Sequence, residues 1–424
     1  MQVYKFGGAS VKDAEGVVNL KNILLQNRPS QLLVVVSAMG KTTDLLEKLT
    51  HSYFQQDGEA HSWLEKARVQ HETIAKGLFP SHQHPVYDEL NNLLVEIEWI
   101  LEEEPQDAFD YLYDQIVSIG ELLSTTIVAH YLQSQGLPAL WVDARNYIAT
   151  DNNHRDAQVD WAQTTQKIQQ NIPTLLEQHI VITQGFIGST SENFTTTLGR
   201  EGSDYTAAIF SASLDAEAVT IWKDVPGVLN ADPKWFDDTE LIPELSYLDA
   251  IELTYYGATV IHPKTIKPLQ NKGIPLYVRS FKDQTLPGTK IQNTQQTLPV
   301  PSFIFKVQQQ LISILPKDFS FIVEDNLRDI FNLFYTHKVK INMMHNSAVS
   351  FSVSVDEHSG QISELLDALK KDYLVESKNG LELITIRYYN QATIDRVLVD
   401  KSIIMELKDS YTCQLLVEKV TPIA

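Results

Sequence analysis

The chain has 424 residues, 43% hydrophobic and 21% charged, the balance of a soluble globular protein with room for two or three domains. Its formal net charge of −20 excludes a nucleic-acid binder working through a basic face and a protein held on an anionic membrane surface. The lone cysteine, Cys413, excludes an intrachain disulfide; with no leader-like N-terminus and no apolar run near the ~20 residues of a membrane span, a cytoplasmic protein is expected.

Gln2–Phe6 reads as a strand, Gly7-Gly8-Ala9-Ser10 as a turn, and Val11–Gln26 as a helix with apolar residues at helical spacing. The unit repeats at once, as strand Leu32–Val36, turn Ser37-Ala38-Met39-Gly40-Lys41-Thr42-Thr43 and helix Asp44–Tyr53. Such alternation predicts an α/β fold, a mostly parallel sheet with helices on both faces, with ligands beyond the carboxyl ends of its strands. Residues 60–129 read as mostly helical, with breaks at Gly77–Tyr87 and Glu102–Asp107. Within them Glu121 follows Gly120 near a helix start, where an acid can also simply complement the helix dipole.

Strands are predicted again at Ala139–Val142 and Ile180–Thr183. The run Thr195-Thr196-Thr197-Leu198-Gly199-Arg200-Glu201-Gly202-Ser203-Asp204 then precedes an apolar stretch from Tyr205 to Leu214. Small residues and glycines at a helix N-terminus leave backbone N–H groups free for an anion. Arg200 and Asp204 add one charge of each sign, so this stretch predicts an active site handling a charged substrate beside phosphate. Ala218–Trp222 is a strand leading into Lys223-Asp224-Val225-Pro226-Gly227, followed by a polar loop with Asp232-Pro233-Lys234. Ser246–Tyr256 reads as a helix stopped by Gly257, and strand Pro275–Val278 with the turn Pro287-Gly288-Thr289 closes the first domain, residues 1–296.

Thr297–Ser302, with two prolines, is the predicted linker. Beyond it, in residues 303–424, the elements read as two copies of a βαββ core, a repeat of about 70 residues suited to a small ligand-binding module. Strands fall at Leu311–Leu315, Ile341–Met344, Ala348–Val355, Leu381–Tyr388, Ile403–Leu407 and Thr412–Val417, with helices at Asn326–Thr336, Ile362–Lys370 and Thr393–Val399.

The runs Lys5-Phe6-Gly7-Gly8-Ala9-Ser10-Val11, Val36-Ser37-Ala38-Met39-Gly40 with Thr43, and Gly120-Glu121 resemble the aspartate kinase family. So do Gln184-Gly185-Phe186, Thr197-Leu198-Gly199-Arg200 with Gly202-Ser203-Asp204, Asp224-Val225-Pro226-Gly227 with Asp232-Pro233, and Gly257-Ala258 with His262-Pro263. Each run is weak alone, but all stand in order across the first domain, and the tail is similar to the family's paired ACT modules. The resemblance implies an amino-acid-kinase fold that phosphorylates the side-chain carboxylate of L-aspartate with ATP and Mg²⁺, and no dedicated metal ligand is named. In ACT pairs one module is commonly inserted in the other, so Phe303–Val307 is expected to pair with late strands. As the chain stops at Ala424, a fused homoserine dehydrogenase is not expected.

The chemistry follows from the charges. A carboxylate is already a nucleophile at neutral pH, so the work is to bring two anions together. Lys5 is expected to hold the transferring phosphoryl group, with Gly7 and Gly8 leaving backbone N–H groups open to phosphate. The resemblance implies that Arg200 clamps a substrate carboxylate and that Glu121 meets the ammonium. Ser37, Thr43 and Ser203 would add donors, with Phe186 as a wall. Asp204 either orients Lys5 or a metal, or pairs with Arg200 one helical turn away. Lys223, Asp224, Gly227, Asp232 and Lys234 form the expected nucleotide side. Departures gather there: Lys223, Leu229, Lys234 and Thr259 stand where the family frequently has Thr, Tyr, Arg and Lys, and Ala9 and Glu201 replace a frequent Thr and Gly.

Met343, Met344 and Ser347, facing Pro316–Ser320, lie where the family's first ACT module binds an amino-acid effector. Ser347–Val355 lacks charge or proline to protect an edge, so in a solitary chain it is either internal or a liability, and a homodimer built through residues after Ser302 is expected. Two other readings are a catalytically weakened amino-acid sensor and an amino-acid kinase with a different acceptor.

Overall fold

The structure, a computed structural model, describes residues 1–27, 29–236, 238–258, 261–294, 300–318 and 320–419. Its contacts divide the chain into two compact units. The first is Met1–Val228 with Leu241–Ile251 and Val260–Thr297; the second is Leu229–Glu240 with Glu252–Thr259 and Leu298–Ala424. The expected linker at Thr297–Ser302 lies partly outside the described residues, as do Thr259 and Phe319.

The first unit is built on the strands β1 (Gln2–Phe6), β2 (Leu32–Val36), β3 (Ala139–Val142), β4 (Ile180–Gln184), β5 (Ile187–Ser189), β6 (Thr195–Thr197), β7 (Ala218–Lys223), β8 (Glu244–Ser246), β9 (Leu276–Ser280) and β10 (Thr289–Gln292). Eight of them form one sheet in the order β3-β4-β2-β1-β7-β9-β10-β8, and β5 and β6 form a separate ribbon. From β3 to β9 every pairing is parallel, and only β10 runs antiparallel to its neighbour β9. Central strands of such a sheet are covered on both faces, which is why all five residues of β2, Leu-Leu-Val-Val-Val, are buried. Helices Ile119–Ser134 and Gly202–Ser213 are buried nearly all round, and the second packs on β1, β2 and β7. The mostly parallel α/β fold read from the alternation is the one observed. The three-residue strands β5, β6 and β8 were not predicted, being too short to carry a pattern.

The second unit has one antiparallel sheet of β11 (Ser302–Pro316), β12 (Ile341–Asn346), β13 (Phe351–Asp356), β14 (Tyr373–Arg387), β15 (Lys401–Lys408) and β16 (Thr412–Lys419), in the order β12-β13-β11-β14-β16-β15. The two predicted modules share their long strands. The first part of β11 pairs with the end of β14, Phe303 opposite Ile386, while the second part pairs with its beginning, Ile314 opposite Val375. Phe303–Val307 therefore does pair with a late strand, and it runs on into the predicted strand Leu311–Leu315. The register slips between Lys306 and Gln309, where Gln308 adopts a left-handed φ of 54°.

Helices Glu324–Thr336 and Ile362–Asp372 place Ile330, Phe334, Leu365 and Leu369 over Ile312, Phe351 and Val353, forming one core of this unit. Loop 229–240 belongs here through its aromatics: the Phe236 ring lies 4.9 Å from Phe303, and Trp235 stacks on Phe305 at 5.3 Å. Of the two readings of Ser347–Val355, an internal strand or an unprotected edge, the structure has the first. Its strand β13 lies between β12 and β11 with every neighbour paired, so it has no edge to protect, and β12 and β15 are the edges. Among the described residues no helix is long and apolar enough to cross a membrane.

Candidate active site

In the run β4-β2-β1-β7, four neighbouring strands end on the same side and deliver four turns to one place. The turn after β1 carries Gly7 and Gly8, that after β2 carries Ser37 to Thr43, that after β4 carries Gly185 and Phe186, and β7 ends on Lys223. These turns and the N-terminus of helix Gly202–Ser213 enclose a cavity of about 570 Å³. Two glycines permit this convergence. A Cβ on Gly8 would lie 2.5 Å from the Ala38 carbonyl oxygen, and one on Gly185 would lie 2.3 Å from the Ser203 Cβ.

Lys5, the penultimate residue of β1, is 8% exposed and sets its Nζ 2.7 Å from Asp204 Oδ1. Lys223 approaches Asp204 Oδ2 at 3.6 Å, so one buried carboxylate holds two ammonium groups. Burial alone would push Asp204 up, but the charges of Lys5 and Lys223 outweigh it and hold the acid below its usual value. Of the two sequence readings of Asp204, the geometry is that of a group orienting Lys5; its ion-pair partners are lysines and not Arg200.

Glu121 faces the same cavity from the first turn of helix Ile119–Ser134 and is 3% exposed. Burial pushes its carboxyl up to about 8, against the opposing pull of the Ala38 N–H, the Lys5 charge and the Gly185 N–H. Its Oε2 has no hydrogen-bond partner among the described residues. A buried acid with an open oxygen is costly unless something cationic completes it.

Arg200 lies at the mouth, exposed, and its guanidinium forms no ion pair among the described residues. Ser37, Thr43, Phe186 and Ser203 line the cavity, and Gly7 adjoins it, since a Cβ there would stand 3.4 Å from Lys5 Nζ. Three non-glycine lining residues adopt left-handed backbone: Arg155 (φ 68°), Phe186 (φ 72°) and Glu201 (φ 53°). Such residues cost of order 1–3 kcal/mol each and gather at functional sites. For Phe186 the conformation is fixed by its N–H donating to Thr206 Oγ1 at 2.9 Å and its carbonyl accepting from Leu198 N–H at 2.8 Å. Glu201 lines the cavity with its Oε2 engaged, accepting from the His262 N–H at 3.0 Å.

Arg155 and Tyr113 also line the cavity, and no sequence motif marks either. The Arg155 guanidinium lies over the Tyr113 ring at 4.4 Å. Buried Asp114 fixes this loop by accepting from the Arg155 N–H at 3.1 Å, Thr197 Oγ1 at 2.6 Å and His154 Nδ1 at 2.8 Å. Neither a lone arginine in a polar loop nor an acid inside a helix carries a motif.

The remaining expected nucleotide residues are not gathered in the cavity wall. Asp224 is exposed just beyond β7. Gly227 is packed against β10, where a Cβ would sit 2.7 Å from Thr289 Oγ1. Asp232 and Lys234 ride on the loop of the second unit, where Asp232 Oδ1 accepts from the Lys234 N–H at 2.9 Å. In the effector region, Met343 is 3% exposed within an apolar cluster with Leu381, Leu383 and Leu416; Met344 is exposed, and Ser347 Oγ meets Ser350 Oγ at 2.7 Å. A second cavity of about 600 Å³ in the first unit, beside Trp161 and Tyr205, contains none of the expected residues, and its Lys264 and Lys272 are ion-paired to Asp156 and Asp215.

Residues 1–280 match the amino acid kinase family. The chain is 31% identical over 393 residues to lysine-sensitive aspartokinase 3 of Escherichia coli strain K12, covering 91% of this chain and 86% of that protein. It is 30% identical over 395 residues to the aspartokinase of Chlamydia pneumoniae, covering 91% of this chain and 84% of that one. Its fold superposes on crystal structures of E. coli aspartokinase III with a TM-score of 0.83 at 29% identity, covering 99% of this chain and 96% of that one. One of these holds aspartate and ADP in an R-state, another lysine and aspartate in a T-state. The chain belongs to the amino acid kinase family and, within it, to the aspartokinases.

Proposed function

We propose that this protein transfers the γ-phosphoryl group of ATP to the side-chain carboxylate of L-aspartate. The observation that carries this reading is one cavity with two opposed charge devices: the Lys5–Asp204–Lys223 set, and Glu121 with an open oxygen. A zwitterion bearing an extra carboxylate needs a cation site and an anion site, and a phosphoryl donor needs lysine beside it. The aspartate carboxylate oxygen attacks the γ-phosphorus, a P–O bond forms, the bond to the β-bridging oxygen breaks, and ADP leaves with its electron pair. No proton has to move to activate the nucleophile.

Lys5, oriented by Asp204, neutralises the charge on the transferring group, and Lys223 extends that field toward the nucleotide. Glu121 takes the ammonium, while Arg200 offers a planar guanidinium to a substrate carboxylate. Asp204 is held by two lysines, Glu201 by His262, and Glu121 is the ammonium site. The cavity's carboxylates are thus committed, and Mg²⁺ fits as a partner of the phosphate oxygens and water, brought by ATP. Asp224, Gly227, Asp232 and Lys234 belong to the nucleotide side of this proposal.

The second unit serves feedback control in this reading, with an amino acid bound near Met343, Met344 and Ser347. Lysine is the first effector to test, because the similar E. coli enzyme holds it in its T-state. Edge strands β12 and β15 offer the unpaired backbone through which a homodimer would form. Buried Cys413 suits the reducing cytoplasm. The test is ADP release coupled to a reporter enzyme, with ATP and aspartate, with and without lysine or threonine. ADP release that depends on aspartate supports the reading; none at saturating substrates refutes it.

A further inference from the structure

We infer that Gln70 is a positioning residue for the ammonium end of the cavity, its side-chain amide clipping the Ser37–Thr43 turn into the shape that packs against Gly120, the residue before Glu121. This rests on the aspartate-kinase reading above. Gln70 lies on helix Ala60–Leu78, outside the cavity wall. Its Nε2 donates to the Met39 carbonyl oxygen at 3.0 Å and to Thr42 Oγ1 at 3.1 Å. Only the amide nitrogen can donate to a carbonyl, so Met39 fixes which way the amide points. Thr42 in turn donates its hydroxyl to the same Met39 oxygen at 2.6 Å. Buried His71 backs this group, its Nε2 3.4 Å from Thr42 Oγ1.

The turn is held from the other side by the Gly40 N–H, which donates to the Gly8 carbonyl oxygen at 3.0 Å. Gly40 itself has a left-handed φ of 58°. Between these two ties the turn meets the start of the helix that carries Glu121. A Cβ on Gly120 would lie 3.0 Å from Thr42 Cγ2 and 3.3 Å from the Ala38 Cβ. A movement of Met39 or Thr42 is therefore felt directly at Ala38 and Gly120, the neighbours that set the Glu121 carboxylate. Thr43, the next residue, forms part of the cavity wall. Gln70 acts on aspartate only through this turn.

Gln70→Met keeps the length and loses both donors; Gln70→Glu puts an acceptor against the Met39 oxygen. Steady-state kinetics across a pH series, with a melting curve for each variant, tests the inference. With two hydrogen bonds lost, the KM for aspartate should rise roughly tenfold in Gln70→Met and further in Gln70→Glu, while the KM for ATP stays within about twofold. The pH at which kcat/KM for aspartate reaches its plateau should also move upward, because the Ala38 N–H no longer favours ionised Glu121. A folded Gln70→Met enzyme with wild-type aspartate KM and pH profile overturns the inference. So do equal rises in both KM values that track a lowered melting temperature, since that is loss of general support. A wild-type enzyme inactive on aspartate would sink the functional reading itself, and this inference with it.

Discussion

The two ends of the cavity are prepared in opposite ways. At the phosphate end, Lys5 and Lys223 are already ion-paired to the one Asp204 carboxylate, so the cationic groups are held in place before any ligand arrives and keep a net positive charge for phosphate. At the substrate end, Glu121 keeps an oxygen without a partner and Arg200 stands at the mouth without an ion pair among the described residues. A paired set is rigid and suits stabilising a transition state, where reorganisation would cost rate. An unpaired set suits recognition, because the substrate supplies the missing counter-charge. The difference teaches that charges of one cavity can be assigned to turnover or to binding by asking which of them are completed in advance.

The largest expected effect breaks the phosphate end. Lys5→Ala should lower turnover by at least about 10³-fold, the scale on which a preorganised charge at a phosphoryl transition state acts. Rapid-quench measurement of the bound complex checks it, and turnover within tenfold of wild type would remove Lys5 from the chemistry. Next comes Glu121→Ala, which strands the substrate ammonium in a buried site. Truncating one member of such a pair costs roughly 2–5 kcal/mol, so aspartate affinity should fall by at least about 30-fold in calorimetry. A smaller step is expected for Arg200→Ala, about 3- to 10-fold in aspartate KM, because the exposed guanidinium works in high dielectric. An effect on kcat larger than on KM would place Arg200 at the other end.

Acidity sharpens the same contrast. Glu121 must be ionised to hold an ammonium, and burial pushes it up to about 8. Aspartate affinity should therefore climb with pH toward that value and level off above it, whereas Glu121→Gln should show no such climb. The stability of the unliganded protein has the opposite sign. A carboxyl raised above its unfolded value of 4.5 favours folding while protonated. That contribution is complete below about 4.5 and is lost as pH rises through about 8. Melting temperatures of wild type and Glu121→Gln, compared from pH 5 to 8.5, should diverge with the wild type losing ground; parallel curves would contradict the buried assignment.

Much of the first unit was legible because its signals are local. Apolar runs such as Leu32–Val36 and glycine turns such as Gly7-Gly8 and Gly185-Phe186 declare strands and their carboxyl ends, and the ends hold the site. Arg155, Tyr113 and Gln70 were not legible, because each reaches the site through tertiary contact and carries no spacing rule. The pairing of Lys5 with Asp204 bridges about 200 residues, so the sequence left two partners open for Asp204, and only the packing of the helix against β1 chose between them. In the tail, the uncharged run Ser347–Val355 left an internal strand and an unprotected edge both open, and only the pairing of β13 on both sides chose between them. Composition says that a strand avoids charge; it does not say which neighbours cover it.

The division of labour between the two ends meets its most direct test in one variant measured two ways. For Lys5→Ala at pH 9, on the alkaline side of the value of about 8 to which burial pushes Glu121, aspartate affinity from calorimetry is compared with the single-turnover rate of the bound complex. The account predicts an affinity within about threefold of wild type and a rate lower by at least about 10³. A variant that loses aspartate affinity while its bound complex turns over at close to the wild-type rate would contradict it.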